Sequence, residues 1–75
     1  MPNHPRIIEF GYVNWRGQFA IRTVTPIRIY WGATKYHPQP QWLLEGFDHD
    51  KNGTRDFALT DCDFAARRDG EEIAF

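Results

Sequence analysis

Arginine residues and aromatic residues alternate within short apolar segments of this chain, and they are the residues best suited to binding chemistry. Guanidinium groups bind phosphate in a bidentate geometry, and flat aromatic faces stack on bases, so this combination is typical of sites for single-stranded nucleic acid or nucleotide-like ligands. The candidate ligand-binding residues are Arg22, Arg28, Arg55, Tyr30, Trp31, Tyr36, His37 and Trp42. If the segments that carry the arginines share one concave face, we expect these side chains to form a single basic and aromatic hollow.

The same residues also have a purely structural interpretation. Arginines on neighbouring strands can pair with Glu9, Glu45 and Asp56 while the aromatic rings fill the core. Trp42 precedes the most apolar segment, which favours a core anchor whose indole N–H finds one acceptor over a stacking platform. Both interpretations remain open at the level of the sequence.

A polar segment that begins at Asp48 has part of the spacing of a calcium-binding loop. Oxygen-bearing residues and a glycine occupy loop positions 1, 3, 5, 6 and 9: Asp48, Asp50, Asn52, Gly53 and Asp56. The twelfth position, which requires a bidentate glutamate, is Leu59, and both flanks have the pattern of strands. A hairpin turn explains the same residues without a metal, so we predict no metal site.

Catalytic residue types are scarce. The chain contains no serine, and its single cysteine, Cys62, lies between Asp61 and Asp63, whose negative charges raise a thiol pKa. The histidines are too scattered for a zinc site: His4, His37 and His49. We therefore expect a protein that is not an enzyme and that carries no cofactor.

Composition and charge restrict the class of protein further. A chain of 75 residues, 41% hydrophobic and 16% aromatic, forms one small domain, and no apolar stretch approaches the roughly 20 residues of a membrane span. The N-terminus lacks the layout of a secretory signal, so we expect a cytoplasmic protein without membrane contact. Residues 1–47 carry five cations and two anions (+3), whereas residues 48–75 carry four cations and eight anions (−4). Any affinity for polyanions must come from a local patch.

Hydrophobic alternation predicts strands over residues 6–15, 18–25, 27–31, 42–47 and 54–60. Gly17 marks a hairpin turn, Pro26 is expected to end the second strand, and residues 61–68 are predicted to form one helical turn with Asp61 as N-cap. The predicted fold is mainly β: a small five-stranded antiparallel SH3-like or Sm-like barrel with a short C-terminal helical turn. We expect an N-terminal arm over residues 1–5, the domain over 6–68 and an acidic tail over 69–75.

Three elements, in this order, resemble the WYL domain of bacterial transcriptional regulators. They are Arg22-x-Val24-x-Pro26, the segment Gln41–Asp48 (QWLLEGFD) and the segment Arg55–Leu59 (RDFAL). The resemblance extends from about Ile8 to Phe64, with Leu43 in place of the tyrosine that gives the family its name. It implies an SH3-like or Sm-like barrel that senses a ligand, with nucleic acid or a nucleotide-like molecule as the usual candidate.

The sequence therefore leads to two functional hypotheses. The first is a stand-alone WYL-type sensing module, without chemistry of its own, that binds a small anionic ligand or single-stranded nucleic acid. The alternative is a module that binds a protein partner or a second copy of itself through a strand edge or through the loop between Trp31 and Trp42.

Overall fold

One antiparallel sheet forms the body of the molecule. The structure is a computed structural model that describes residues 6–66. Its elements are β1 (Ile8–Val13), β2 (Phe19–Gly32), β3 (Gln41–Asp48), β4 (Gly53–Ala58), a 3-10 helix (Leu59–Asp61) and β5 (Cys62–Asp63). The strands lie in the order β4-β3-β2-β1-β5, and every neighbouring pair is antiparallel. The mainly β, five-stranded antiparallel architecture is confirmed, and the sheet is open rather than closed.

Strand β2 is a single strand of 14 residues, so the prediction that Pro26 divides this region into two strands is wrong. Pro26 lies opposite Gly46, and the register against β3 shifts between Pro26 and Arg28. A bulge at this point accommodates a residue that has no N–H to donate, because the ladder is already interrupted there. The bulge also reverses the faces on which the following side chains of β2 lie.

The fifth strand comes from a different part of the chain than predicted. Cys62 and Asp63 pair with Tyr12 and Gly11 of β1, where the sequence pattern predicted a helical turn over residues 61–68. The only helical element within residues 6–66 is the 3-10 helix, which ends at Asp61 instead of beginning there. Cys62 and Asp63 thus pair their backbone with β1 instead of within a helix. The arm at 1–5, residues 67–68 and the tail at 69–75 lie outside the described residues.

Aromatic rings in edge-to-face contact make up the core. Phe10 is fully buried and packs edge-on against Phe57 at 5.2 Å between ring centroids, and Phe57 packs edge-on against Tyr12 at 4.9 Å. Val24 and Leu44 complete the cluster. Such contacts contribute about 0.5–1.5 kcal/mol per pair beyond the area that they bury. Within the described residues, no helix has the length and apolar character needed to span a bilayer.

Candidate anion-binding site

The turn between β1 and β2 is held by one asparagine side chain. Asn14 Oδ1 accepts hydrogen bonds from the backbone N–H of Arg16 at 2.9 Å and of Gln18 at 3.0 Å, and Gly17 takes a positive φ of 78°. A side chain that closes a turn in this way restricts the backbone on both sides. The turn therefore presents Trp15 and Arg16 in a defined position, with the Arg16 guanidinium 5.0 Å from the centroid of the Trp15 ring.

The loop between β2 and β3 is attached to this turn and to the core. The Tyr36 ring stacks on Trp15 with a centroid distance of 5.7 Å and an interplanar angle of 22°. The backbone groups of Thr34 and His37 hydrogen bond to each other, and His37 Nε2 lies 3.1 Å from the hydroxyl of Tyr12. These contacts place two aromatic rings and an imidazole beside one another although they come from separate segments.

Tyr12 connects three parts of the molecule. Its ring belongs to the core cluster, and its hydroxyl accepts the backbone N–H of Ala58 at 3.0 Å, at the end of β4. The same hydroxyl lies within hydrogen-bond distance of His37 Nε2, so one side chain joins the core, the end of β4 and the β2–β3 loop. Burial raises the pKa of Tyr12, so the phenol remains protonated at neutral pH.

A cleft of about 320 Å³ opens between this turn, the β2–β3 loop and the outer side of β4. We call it the basic cleft. Its charged lining consists of four cations and one carboxylate: Arg16, Arg22, Lys51, Arg55 and Asp56. Its ring-bearing lining consists of Tyr12, Trp15, Tyr36, His37 and Phe57. The volume lies at the lower end of the range of small-molecule sites, about 300–1,000 Å³.

Only one of the four cations of the basic cleft has a carboxylate partner within residues 6–66. Arg22 lies at the inner side, where its Nη1 is 3.5 Å from Asp48 Oδ2, and the two side chains are 12% and 0% exposed. The Arg22 Nε is buried and has no hydrogen-bond partner within the described part of the chain, residues 6–66. Arg16, Lys51 and Arg55 are exposed and form no ion pair with the described carboxylates, so their charges face the cleft and solvent.

The structure places four of the eight predicted ligand-binding residues in this cleft: Arg22, Arg55, Tyr36 and His37. Arg28 and Tyr30 lie elsewhere. The register shift after Pro26 sets Arg28 opposite Glu45 on the face away from the core, where its Nε donates to Glu45 Oε1 at 2.5 Å. Tyr30 also follows the register shift and lies on the same face of β2 as Arg28.

Tyr30 and Arg28 form a small polar cluster on that face. The Arg28 guanidinium lies 4.3 Å from the centroid of the Tyr30 ring, and the Tyr30 hydroxyl donates to Asp56 Oδ1 at 2.8 Å. Desolvation and this hydrogen bond raise the pKa of Tyr30. The pairing of Arg28 with Glu45 matches the structural interpretation of that arginine, whereas Arg22 pairs with a carboxylate that the sequence did not single out for it.

Trp31 and Trp42 lie at a third place, apart from the basic cleft and from the Arg28–Tyr30 cluster. They are directly opposite in the β2–β3 ladder and pack edge to face at 5.4 Å. Their exposed fractions are 58% and 54%, so Trp42 does not act as a buried core anchor. Neither ring lines the basic cleft.

Several residues of the cleft were not predicted from the sequence. They are Tyr12, Asn14, Trp15, Arg16, Gln18, Lys51, Asp56 and Phe57. The pair Trp15-Arg16, directly before the turn glycine Gly17, was a signal that combined an aromatic ring with a cation. Lys51 had no comparable signal because it lies among acidic residues.

The segment that begins at Asp48 and resembles part of a calcium-binding loop forms the turn between β3 and β4. Asp48 is buried, and its Oδ1 accepts the backbone N–H of Asp50 at 2.9 Å and of Lys51 at 3.3 Å. Residues 6–66 contain no group of three or more His, Cys, Asp or Glu side chains arranged to hold a metal ion. Asp48 thus closes the β3–β4 turn and carries the charge that faces Arg22.

The thiol of Cys62 is not activated. Burial raises its pKa to about 12, and the charge of Asp61 adds to the effect. The sulfur donates to the Ala58 carbonyl oxygen at 3.4 Å. The thiolate, which is the nucleophilic form, is therefore scarce at neutral pH.

No protein-family model, no curated protein and no solved structure matches this chain.

Proposed function

We propose that this protein is a non-enzymatic module that binds a phosphate-bearing ligand, which is either single-stranded nucleic acid or a nucleotide. The basic cleft is its binding site. One observation carries the proposal: three exposed cations without a carboxylate partner among residues 6–66 surround a stacked Trp15–Tyr36 pair. Cations spaced around flat rings suit a ligand that alternates phosphates with bases.

The resemblance to WYL domains supports the same assignment. Both arginines of its matching elements, Arg22 and Arg55, line the basic cleft from β2 and β4. We divide the roles between them. Arg22 pairs with Asp48 and forms the inner wall, whereas Arg55 is exposed and contacts the ligand.

We further propose that the sheet belongs to the SH3-like or Sm-like barrel class. The three-residue 3-10 helix joins β4 to β5, which are the two edges of the sheet. The hydrogen bond from the Ala58 N–H to the Tyr12 hydroxyl brings the end of β4 to β1 across the core. Both features favour a sheet curved strongly enough to approach closure.

The test is the salt dependence of oligonucleotide binding. With Arg16, Lys51 and Arg55 as three phosphate contacts, the slope of log affinity against log salt is about −2 for a single strand, at about −0.7 per contact. Affinity for a fluorescein-labelled ten-nucleotide single strand, measured by anisotropy, then falls about 20-fold between 50 and 200 mM salt.

A matched pair of variants locates the site. Arg55→Ala is expected to reduce the slope by about 0.7 without lowering the urea midpoint, because the side chain is exposed and forms no ion pair with a carboxylate of residues 6–66. Arg28→Ala removes an arginine from the opposite face and is expected to leave binding unchanged. Absence of binding at 20 mM salt, or equal losses for the two variants, would refute the proposal.

A second candidate function is self-association, which the exposed apolar side chains of β2 and β3 favour. Ile29, Trp31 and Trp42 are exposed by 59%, 58% and 54%, and their register places them on one face. One self-complementary patch is sufficient for a two-fold dimer. Sedimentation equilibrium from 5 to 500 μM tests this: Trp31→Ser should abolish a concentration-dependent dimer, and a monomer throughout the range excludes the candidate.

A further inference from the structure

Among residues 6–66, no strand lies against the outer edge of β4, which adjoins the basic cleft. The backbone N–H of Ala58 points away from β3, because it donates to the Tyr12 hydroxyl. Backbone direction alternates along an antiparallel strand, so the N–H and C=O groups of Asp56 and Thr54 also point away from β3. Among residues 6–66, no backbone group pairs with this edge at those two positions.

These groups line a groove that continues the basic cleft. A second cavity of about 280 Å³ adjoins it and is lined by Thr54 and Asp56. The two cavities share Tyr36, Lys51 and Arg55 in addition to Asp56. The exposed Tyr36 ring and two cations therefore lie along the same stretch of strand edge as the outward-facing backbone groups of Thr54 and Asp56.

The Thr54 C=O and the Asp56 N–H form a neighbouring acceptor and donor on one edge. Every nucleobase carries a hydrogen-bond donor next to an acceptor on its pairing edge, which single-stranded bases expose. A base that stacks on Tyr36 can meet such a pair in the plane of the strand. Stacking and backbone pairing tolerate all four bases, because neither requires a particular side chain.

We propose that the outer edge of β4 binds a nucleobase, with the Thr54 carbonyl oxygen accepting from the base and the Asp56 N–H donating to it while the base stacks on Tyr36. This inference rests on the proposed function and adds the base as the group recognised. A phosphate attached to that base then lies within reach of Arg55 and Lys51, which line both cavities.

The experiment compares three phosphates of equal charge by ¹⁵N–¹H NMR titration of the full chain. Uridine 5′-monophosphate is expected to shift the Asp56 amide and to bind about tenfold more tightly than its N3-methyl derivative, which lacks the base donor, or ribose 5-phosphate, which lacks the base. Equal affinities for all three, with no shift at Asp56, refute the inference and leave the proposed function intact. Absence of binding by any of them at 20 mM salt refutes both.

Two substitutions at one position isolate the donor. Asp56→Pro removes the outward N–H, and Asp56→Ala removes the same carboxylate but keeps the N–H; proline is tolerated on an edge strand where its nitrogen faces away from the ladder. We expect Asp56→Ala to retain base-dependent binding and Asp56→Pro to lose it about tenfold. Equal base-dependent binding by both refutes the inference. If Asp56→Pro does not fold, the amide shift in the parent protein decides. Shifts at Thr54 and Asp56 on adding an extended acidic peptide, but not on adding nucleotide, also refute it and identify strand addition instead.

Discussion

Replacing Asp48 with asparagine tests how the inner wall of the basic cleft is held. Asp48 is fully buried and faces an Arg22 side chain that is only 12% exposed, at 3.5 Å. Two unit charges at that distance attract by about 5 kcal/mol at an effective dielectric constant of about 20. Removing one partner of a buried pair typically costs about 3–5 kcal/mol, because the other charge stays behind. The asparagine side chain in Asp48→Asn retains an oxygen that accepts from the backbone N–H groups of Asp50 and Lys51. The loss of stability therefore measures the effect of removing the negative charge.

The expected loss is a large part of the total stability. At about 0.05–0.15 kcal/mol per residue, this chain has a free energy of unfolding of about 4–11 kcal/mol. For a urea slope of about 1–2 kcal/mol per molar, a loss of about 3–5 kcal/mol in Asp48→Asn should lower the unfolding midpoint by about 1.5–5 M, measured by tryptophan fluorescence. The double variant Arg22→Met/Asp48→Asn should be more stable than Asp48→Asn alone, because no buried charge is left without a partner. A loss below about 0.5 kcal/mol, or strictly additive effects in the double variant, would show that the pair does not hold the wall.

Three further predictions concern the core and its titration. Gly46→Ala should lower the free energy of unfolding by about 1–3 kcal/mol in urea, because the added methyl overlaps Cγ1 of the buried Val24; an unchanged midpoint would contradict this. Tyr12→Phe leaves the buried N–H of Ala58 without its acceptor and should cost about 1–3 kcal/mol, with faster hydrogen exchange at that amide as the specific sign. The raised pKa of Cys62 means that the folded state holds this proton more tightly than the unfolded state. The protonated thiol contributes fully to the free energy of unfolding below pH 9, and this contribution is lost as the pH rises towards 12. The free energy of unfolding should therefore decline less steeply over that range in Cys62→Ala than in the parent protein.

The strand pattern was predictable wherever alternation met a short turn. β1, β3 and β4 lie within the predicted segments apart from a residue or two at their ends, because each combines a buried face with turn residues on its flanks. β2 was not predicted as one strand, since the sequence shows a proline but not the bulge that accommodates it. The two residues of β5 are too few for any periodic signal, and they become a strand only by pairing with β1.

The same bulge explains which arginines could be grouped from the sequence. Arg22 precedes the register shift and shares the core-side face, whereas Arg28 follows the shift and lies on the other face. Simple alternation of side chains, continued past Pro26 without a bulge, therefore places Arg28 on the same face as Arg22, which is incorrect. Trp15 and Lys51 come to the cleft through the meeting of separate turns, which depends on tertiary packing and leaves no local pattern.

Strand β4 has a neighbour on one side only within residues 6–66, and this affects the behaviour of the protein in concentrated solution. An unpaired strand edge is a template on which sheets of other molecules can grow, and proteins counter this with charged residues on the edge strand. Arg55 and Asp56 are consecutive, so their side chains project from opposite faces of β4 and place a charge on each. Neutralising both at once is expected to make this edge a nucleus for aggregation, so the two charges are expected to keep separate molecules from pairing there.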